Sequence, residues 1–147
     1  MASLNLRRRG ASDETGAELI EFAFALPLML LVLLGIVDFG FTFQQYEVVT
    51  NAAREGARIG VLPGYGAGDV DARVAAYVSG SGLAGTPTTD VAYVALTPAN
   101  SPPFNAVQVT VSYPHRFTLL DTIAGMFDVS LPPVLLTSAA TMRVEGP

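Results

Sequence analysis

Few side chains in this chain could do chemistry, and one of them, Glu21, has an unusual position. The 147 residues contain a single histidine, His115, and neither lysine nor cysteine. Nucleophilic catalysis needs a nucleophile beside a base, and thiolate metal sites need cysteine, so the chain offers little material for either. Glu21 follows Gly16 by five residues, at the start of a long apolar run. A carboxylate at the edge of hydrocarbon is unfavourable and usually has a partner. The chemistry indicated at Glu21 is charge pairing.

The apolar run from 22 to 37 contains no charge. About 20 apolar residues cross ~30 Å of hydrocarbon, so this run with its flanks is long enough to span a membrane. Three arginines precede it, at positions 7 to 9, and the next is Arg54. By the positive-inside rule we predict a single-pass protein of the cytoplasmic (inner) membrane, with residues 1–16 as a cytoplasmic leader and the C-terminal part exported. Asp38 is interpreted as marking the exported interface.

The helix is predicted to continue beyond the membrane as a stem that completes a segment from 17 to 60. After Asp38, apolar residues recur at spacings of three and four up to Gly60, and polar residues fill the other face. Small residues form a strip on this stem, and outside a membrane such a strip more often seats the protein's own sheet than a second helix. The strip consists of Ala53, Gly56, Ala57 and Gly60.

Residues 61 to 147 are predicted to form a small exported α+β domain. Asp69 is expected to cap a short helix from Val70 to about Ser79. Three runs read as strands, at 91 to 96, 107 to 113 and 135 to 144, and the first two are expected to pair antiparallel. The predicted fold class is therefore α+β, with a long N-terminal helix packed against a small antiparallel sheet, as in pilins. The core of so small a domain should be thin.

The connection between the last two strands is rich in apolar residues and has two interpretations. From Phe117 to Pro133 it carries apolar side chains between turn residues. The favoured interpretation is that it closes the open side of the core. The other is an exposed apolar patch for a neighbouring subunit or the membrane surface. His115, directly before this connection, is interpreted as a surface or turn residue.

Charge and composition exclude several classes of function. Residues 17 to 147 hold five arginines against eleven carboxylates, a net charge of −6, which repels phosphate backbones. The carboxylates are scattered, and Asp69 and Asp71 lack the later glycine and glutamate of a calcium loop. We therefore predict no nucleic-acid binding, no enzyme activity, no metal site and no cofactor.

Several segments of the first 60 residues match a known family pattern. They are Gly16 with Glu21, then Leu26-Pro27-Leu28, Gly35-Ile36-Val37-Asp38-Phe39-Gly40 and Asn51-Ala52-Ala53-Arg54-Glu55-Gly56-Ala57-Arg58. Together they resemble the TadE-like family, pseudopilins of the tight-adherence (Flp-type) pilus system. The resemblance covers residues 16 to 60 and thins to a generic pattern of short strands over the rest.

The resemblance implies a processing site for a prepilin peptidase. In Flp-type precursors the cut follows a glycine, and the fifth mature residue is a glutamate followed by an aromatic residue. Mapped onto this chain, the cut falls between Gly16 and Ala17, and Glu21 and Phe22 become the assembly residues. The new amine of Ala17 would lie near the depth of Glu21, and unit charges about 4 Å apart attract by ~4 kcal/mol at an effective dielectric of 20. The alternative is that Glu21 snorkels to the headgroups.

Two functions from different classes remain open. The first is a structural, non-enzymatic role as a minor pilin or pseudopilin that is cut by the peptidase and joins other pilin subunits and the pilus assembly machinery. The second is an uncleaved, signal-anchored envelope protein whose exported domain binds a ligand. Gly16 with Glu21 separates them, because the second function does not need this pair.

Overall fold

The computed structural model describes residues 10–99 and 102–144 of the chain; the arginines at 7 to 9, which carry the predicted orientation, lie outside these residues. The architecture is the predicted α+β class, a long N-terminal helix with a small antiparallel sheet. The elements in chain order are α1 (Gly10–Gly60), α2 (Ala67–Gly80), β1 (Thr88–Leu96), β2 (Phe104–His115), α3 (Leu119–Gly125) and β3 (Val134–Arg143).

α1 is the dominant element, with 51 residues and a length of about 75 Å at the helical rise per residue. It begins at Gly10 and runs without a break through Gly16, because one glycine inside a helix costs only about 1 kcal/mol relative to alanine. Pro27 also lies inside it. The helix ends at Gly60, where the Leu62 amide donates to the Ile59 carbonyl at 3.0 Å. Gly64, with φ of +89°, then turns the chain.

α2 begins earlier than the sequence pattern predicts. Its N-cap is Gly66, so the prediction that Asp69 is the N-cap is wrong. Asp69 instead lies in the first turn, where its Oδ2 accepts a hydrogen bond from the Gly66 backbone N–H at 2.8 Å. The carboxylate still stabilises the positive end of the helix, from inside it.

The three strands form an antiparallel sheet in the order β1-β2-β3. The predicted pairing of the first two strands is confirmed, and Val107 in the centre pairs with Tyr93 on one side and Met142 on the other. β2 extends beyond its predicted end to His115. Pro114, which has no N–H, is tolerated there because the pairing with β1 stops at Ser112, which leaves only β3 beside it.

The core lies where the second half of α1 and the whole of α2 meet the sheet. Its residues are mostly valine and alanine, so the layers approach closely but bury little apolar surface per residue. This is the thin core expected of a domain of this size. The buried cluster comprises Val49, Ala52, Ala53, Ala57, Val70, Val74, Val78, Val107, Val109, Val111, Tyr113 and Leu136.

Candidate functional site

The first half of α1 carries the predicted processing and assembly residues, and the folded domain does not cover it. α1 is the one helix of the described residues long and apolar enough to cross a membrane, and none of its most apolar stretch is buried. Phe22 is 55 % exposed and Phe24 is 82 % exposed. An apolar surface of this size is unfavourable in water and fits lipid or other chains.

Four predicted site residues lie on this uncovered segment. A Cβ atom placed on Gly16 would meet nothing within 4 Å. Ala17 and Glu21 are both exposed, and one helical turn, about 6 Å of rise, separates their backbones. Among the residues that the structure describes, the two ion pairs both involve Glu55 and neither reaches Glu21. Glu21 and Phe22 therefore face the surroundings of the helix and not the folded domain.

The small-residue strip lies at the other end of α1, inside the core. A Cβ on Gly56 would lie 2.8 Å from Val74 Cγ2 and 3.2 Å from Val109 Cγ1. A Cβ on Gly60 would lie 2.9 Å from Val107 Cγ1. Ala53 and Ala57 are fully buried beside them. The strip thus contacts α2 as well as the sheet, and only hydrogen fits at its two glycines.

Glu55 links this stem to α2 on the outer surface. Its carboxylate accepts hydrogen bonds from Arg58, one turn further along α1, with Nη2 at 2.7 Å from Oε1, and from Arg73 of α2, with Nη2 at 2.6 Å. The hydrogen bond from Arg58 has the larger effect on the pKa of Glu55, and together the two bonds lower it from 4.5 to about 2. The segment from 51 to 58, part of the resemblance to the TadE-like family, therefore has two structural roles. Its small residues admit α2 and β2, and its glutamate ties α1 to α2.

Asp38 is a site residue whose role the sequence analysis missed. It is only 1 % exposed, and its carboxylate accepts backbone hydrogen bonds at the start of α3. Leu120 donates to Oδ2 at 2.7 Å, and Leu119 donates to both oxygens at 3.0 and 3.1 Å. The first amides of a helix have no partner within the helix, so a carboxylate here satisfies them and meets the positive end of the dipole. Asp38 therefore holds α3 at the end of the apolar segment. The sequence pattern alone indicates only that it marks an interface.

His115 is buried, so its interpretation as a surface or turn residue is wrong. Its Nε2 lies 2.8 Å from Thr42 Oγ1, and its Nδ1 lies 2.9 Å from Gln45 Oε1. Gln45 Oε1 can only accept, so Nδ1 donates to it. The single hydroxyl hydrogen of Thr42 goes either to the Asp38 carbonyl, 2.8 Å away, or to Nε2, but not to both. Burial lowers the pKa of His115, and the nearby charge of Asp38 opposes this in part. The ring also stands edge-on to Phe117, with centroids 5.1 Å apart.

The connection from 117 to 133 covers less of the core than the favoured interpretation required. Phe117 packs on Phe39 of α1, with ring centroids 6.0 Å apart, but no residue of α3 is fully buried. Met126 is 80 % exposed and Phe127 is 76 % exposed. The interpretation that this connection closes the core is wrong for its second half, because the large apolar side chains after α3 are exposed. The first half, α3, is held against α1 by Asp38.

The sequence did contain a signal for one of the missed residues. Val107, Val109, Val111 and Tyr113 alternate on the buried face of β2, and continuing the alternation by one step reaches His115. No comparable signal exists for Asp38, because its donors lie 80 to 82 positions away in sequence. In the part of the chain that the structure describes, no three His, Asp or Glu side chains come together in a group suited to a metal ion.

Comparison with known proteins finds a family match over most of α1. Residues 16–58 match the family model described as TadE-like protein. This confirms the resemblance stated for the N-terminal segment, and the matched range runs from the predicted cleavage glycine almost to the end of α1. Searches of curated proteins and of solved structures find no match.

Proposed function

We propose that this chain is a minor pilin or pseudopilin-type structural subunit of a tight-adherence pilus system. A prepilin peptidase cuts it between Gly16 and Ala17, and the mature protein stays in the cytoplasmic membrane with its C-terminal domain exported until it joins other pilin subunits. In this proposal the chain is not an enzyme and needs no cofactor. Its partners are the peptidase, other pilin or pseudopilin subunits, the assembly machinery and membrane lipid.

The observation that carries the proposal is the division of α1 into two halves within the range of the family match. Residues 16–58 match the TadE-like model. Within them none of the most apolar stretch is buried, while the second half presents Ala53, Gly56 and Ala57 to the core. A helix with a bare apolar half and a domain fixed to its other half suits lateral packing among similar helices, first in lipid and then in a filament.

The alternative is an uncleaved, signal-anchored envelope protein with an exported binding domain. Such a protein also needs an apolar anchor, so exposure of the first half of α1 does not separate the two functions. It has no use for a cut at Gly16 or for a carboxylate at position 21. Processing and association therefore discriminate between the proposals.

The test is the mass and N-terminal residue of the protein recovered from membranes of its native host. The proposal expects a mature chain that starts at Ala17, and it expects Gly16→Asp to remain full length. Gly35→Ala is a matched control, because Gly35 is also a helical glycine with nothing within 4 Å of a Cβ, and this variant should be cut normally. A wild-type protein that retains Met1 or Ala2 at its N-terminus would favour the signal-anchored alternative.

A further inference from the structure

The connection between β2 and β3 exposes a group of large apolar side chains that neither the core nor the proposed assembly segment uses. We call this group the α3 patch, and it comprises Met126, Phe127, Val129, Val134 and Leu135. Its members range from 41 % exposed at Val134 to 80 % exposed at Met126. Large apolar side chains exposed so close together along the chain mark a contact with another phase or another molecule.

The sheet register places this patch at the end of the domain that faces the apolar half of α1. β2 runs along α1 in the opposite direction, since Val107 lies against Gly60 and Val109 against Gly56. Its last residue, His115, contacts Thr42 and Gln45. β3 starts beside that point, where Val134 pairs with His115. The whole connection therefore emerges next to the apolar segment and not at the far end of the sheet.

Asp38 then fixes the height of α3 along α1. It is the first charged residue after the uncharged run from 22 to 37, and it binds the amides that start α3. α3 has only seven residues, about 10 Å of helix, so the patch that follows it stays close to the level of Asp38. At the same level α1 exposes Phe39, Phe41 and Phe43, so the apolar surface of α1 continues past Asp38 beside the patch.

We propose that the α3 patch docks on the bilayer surface beside α1 and inserts Met126 and Phe127 into the boundary between headgroups and acyl chains. This inference rests on the membrane-spanning placement of α1 in the proposed function. Apolar burial drives the docking, because the connection carries Asp121 and Asp128 and so gains little from anionic lipid. Asp121 is already engaged with the Leu131 amide at 2.9 Å. The domain would then rest on the membrane at two points, the stem and the patch.

A tryptophan depth measurement tests the docking on the full chain, since the natural sequence has no tryptophan. Four variants are reconstituted singly into zwitterionic vesicles whose lipids carry bromine at defined depths. Phe127→Trp and Met126→Trp report the patch. Tyr93→Trp is the matched surface control, because Tyr93 is exposed and pairs with Val107 at the far end of the sheet. Leu30→Trp, near the middle of the apolar run, reports whether α1 spans.

The proposal expects shallow bromines to quench both patch tryptophans several-fold more than the Tyr93→Trp control, with emission shifted to shorter wavelength. Deep bromines should quench Leu30→Trp most. Quenching of the patch no stronger than that of the control, with Leu30→Trp deep, would overturn the docking and leave the anchoring of α1 intact. A second copy of the chain could instead cover the patch. The patch tryptophans would then show a blue shift but no quenching by bromine, and the shift would vanish as the protein is diluted in lipid. This result would also overturn the docking. A shallow Leu30→Trp would overturn both the spanning placement and the docking.

Discussion

The carboxylate of Asp38 and the backbone N–H of Leu119 meet at 3.0 Å although 81 positions separate them. This contact joins the end of the apolar half of α1 to the start of α3. It closes the long β2 to β3 connection against the stem and gives the buried carboxylate the donors that it needs. The carboxylate of Asp38 therefore helps to fix the position of α3 against α1.

Removing this carboxylate should loosen α3. In Asp38→Ala the amides of Leu119 and Leu120 lose their acceptor, and we expect a loss of about 1–3 kcal/mol in the free energy of unfolding together with faster amide exchange at α3. Denaturant unfolding and hydrogen exchange of the full chain in detergent micelles measure both effects. Asp90→Ala, which removes an exposed carboxylate from β1, should change stability by no more than about 0.5 kcal/mol. Equal exchange at Leu119 in wild type and Asp38→Ala would contradict the capping role.

The two glycines of the stem strip should tolerate no side chain. In Gly56→Leu even the first added carbon would lie 2.8 Å from Val74 Cγ2 and 3.2 Å from Val109 Cγ1. Because both valines are fully buried, we expect overpacking to lower the free energy of unfolding by about 1–3 kcal/mol. Gly68→Leu is the control, because Gly68 is also helical and a Cβ there meets nothing within 4 Å. Limited proteolysis and unfolding in micelles report the difference. Equal protease resistance of both variants would place the strip outside the core.

The stem and the alternating strands could be predicted because their signals are local. Spacings of three and four identify the face of α1 that carries Ala53 and Gly56, and the alternation from Val107 to Val111 identifies the buried face of β2. The placement of α3 could not be predicted in this way, because it depends on Asp38 and on donors brought close only by the folded chain. Apolar composition alone gives a core segment and an exposed apolar segment the same pattern, so the connection that contains Phe127 had two interpretations.

Acid should weaken the bridge between α1 and α2. The folded-state pKa of Glu55 is about 2, below its ordinary value of 4.5. The contribution of the bridge is therefore fully present above pH 4.5 and is lost as the pH falls toward 2. Glu55→Gln should flatten this part of the stability curve measured by unfolding in micelles. Glu47 is an exposed carboxylate on the same helix, and Glu47→Gln should leave the slope of the stability curve as in wild type. An identical effect of the two substitutions would argue against the bridge.

His115 should make stability depend on pH in a second window. Because burial lowers its pKa in the folded state, the unfolded chain takes up a proton first as the pH falls below about 6.5. Stability should therefore be full above pH 6.5 and decrease on acidification from there to the folded-state pKa. His115 is the only histidine, so His115→Gln should remove this slope while the slope below pH 4.5 remains. A wild-type protein that gains stability between pH 7.5 and 5.5 would show the opposite sign of shift.

The last prediction separates the two roles of Glu21. A carboxylate that snorkels to the headgroups is an unfavourable charge that glutamine would relieve, so Glu21→Gln would then be harmless at every later step. A carboxylate that pairs with the Ala17 amine of a neighbouring chain supplies charge complementarity at assembly, and the neutral amide would leave that amine unpaired at the membrane edge. We expect Glu21→Gln to be inserted and at least partly cut, because the proposed cleavage site is at Gly16 and not at position 21, but to lose crosslinking to other pilin subunits. Glu18→Gln, an exposed carboxylate on the same helix, is the matched control and should associate normally. Normal association of cleaved Glu21→Gln would leave Glu21 without a role in assembly.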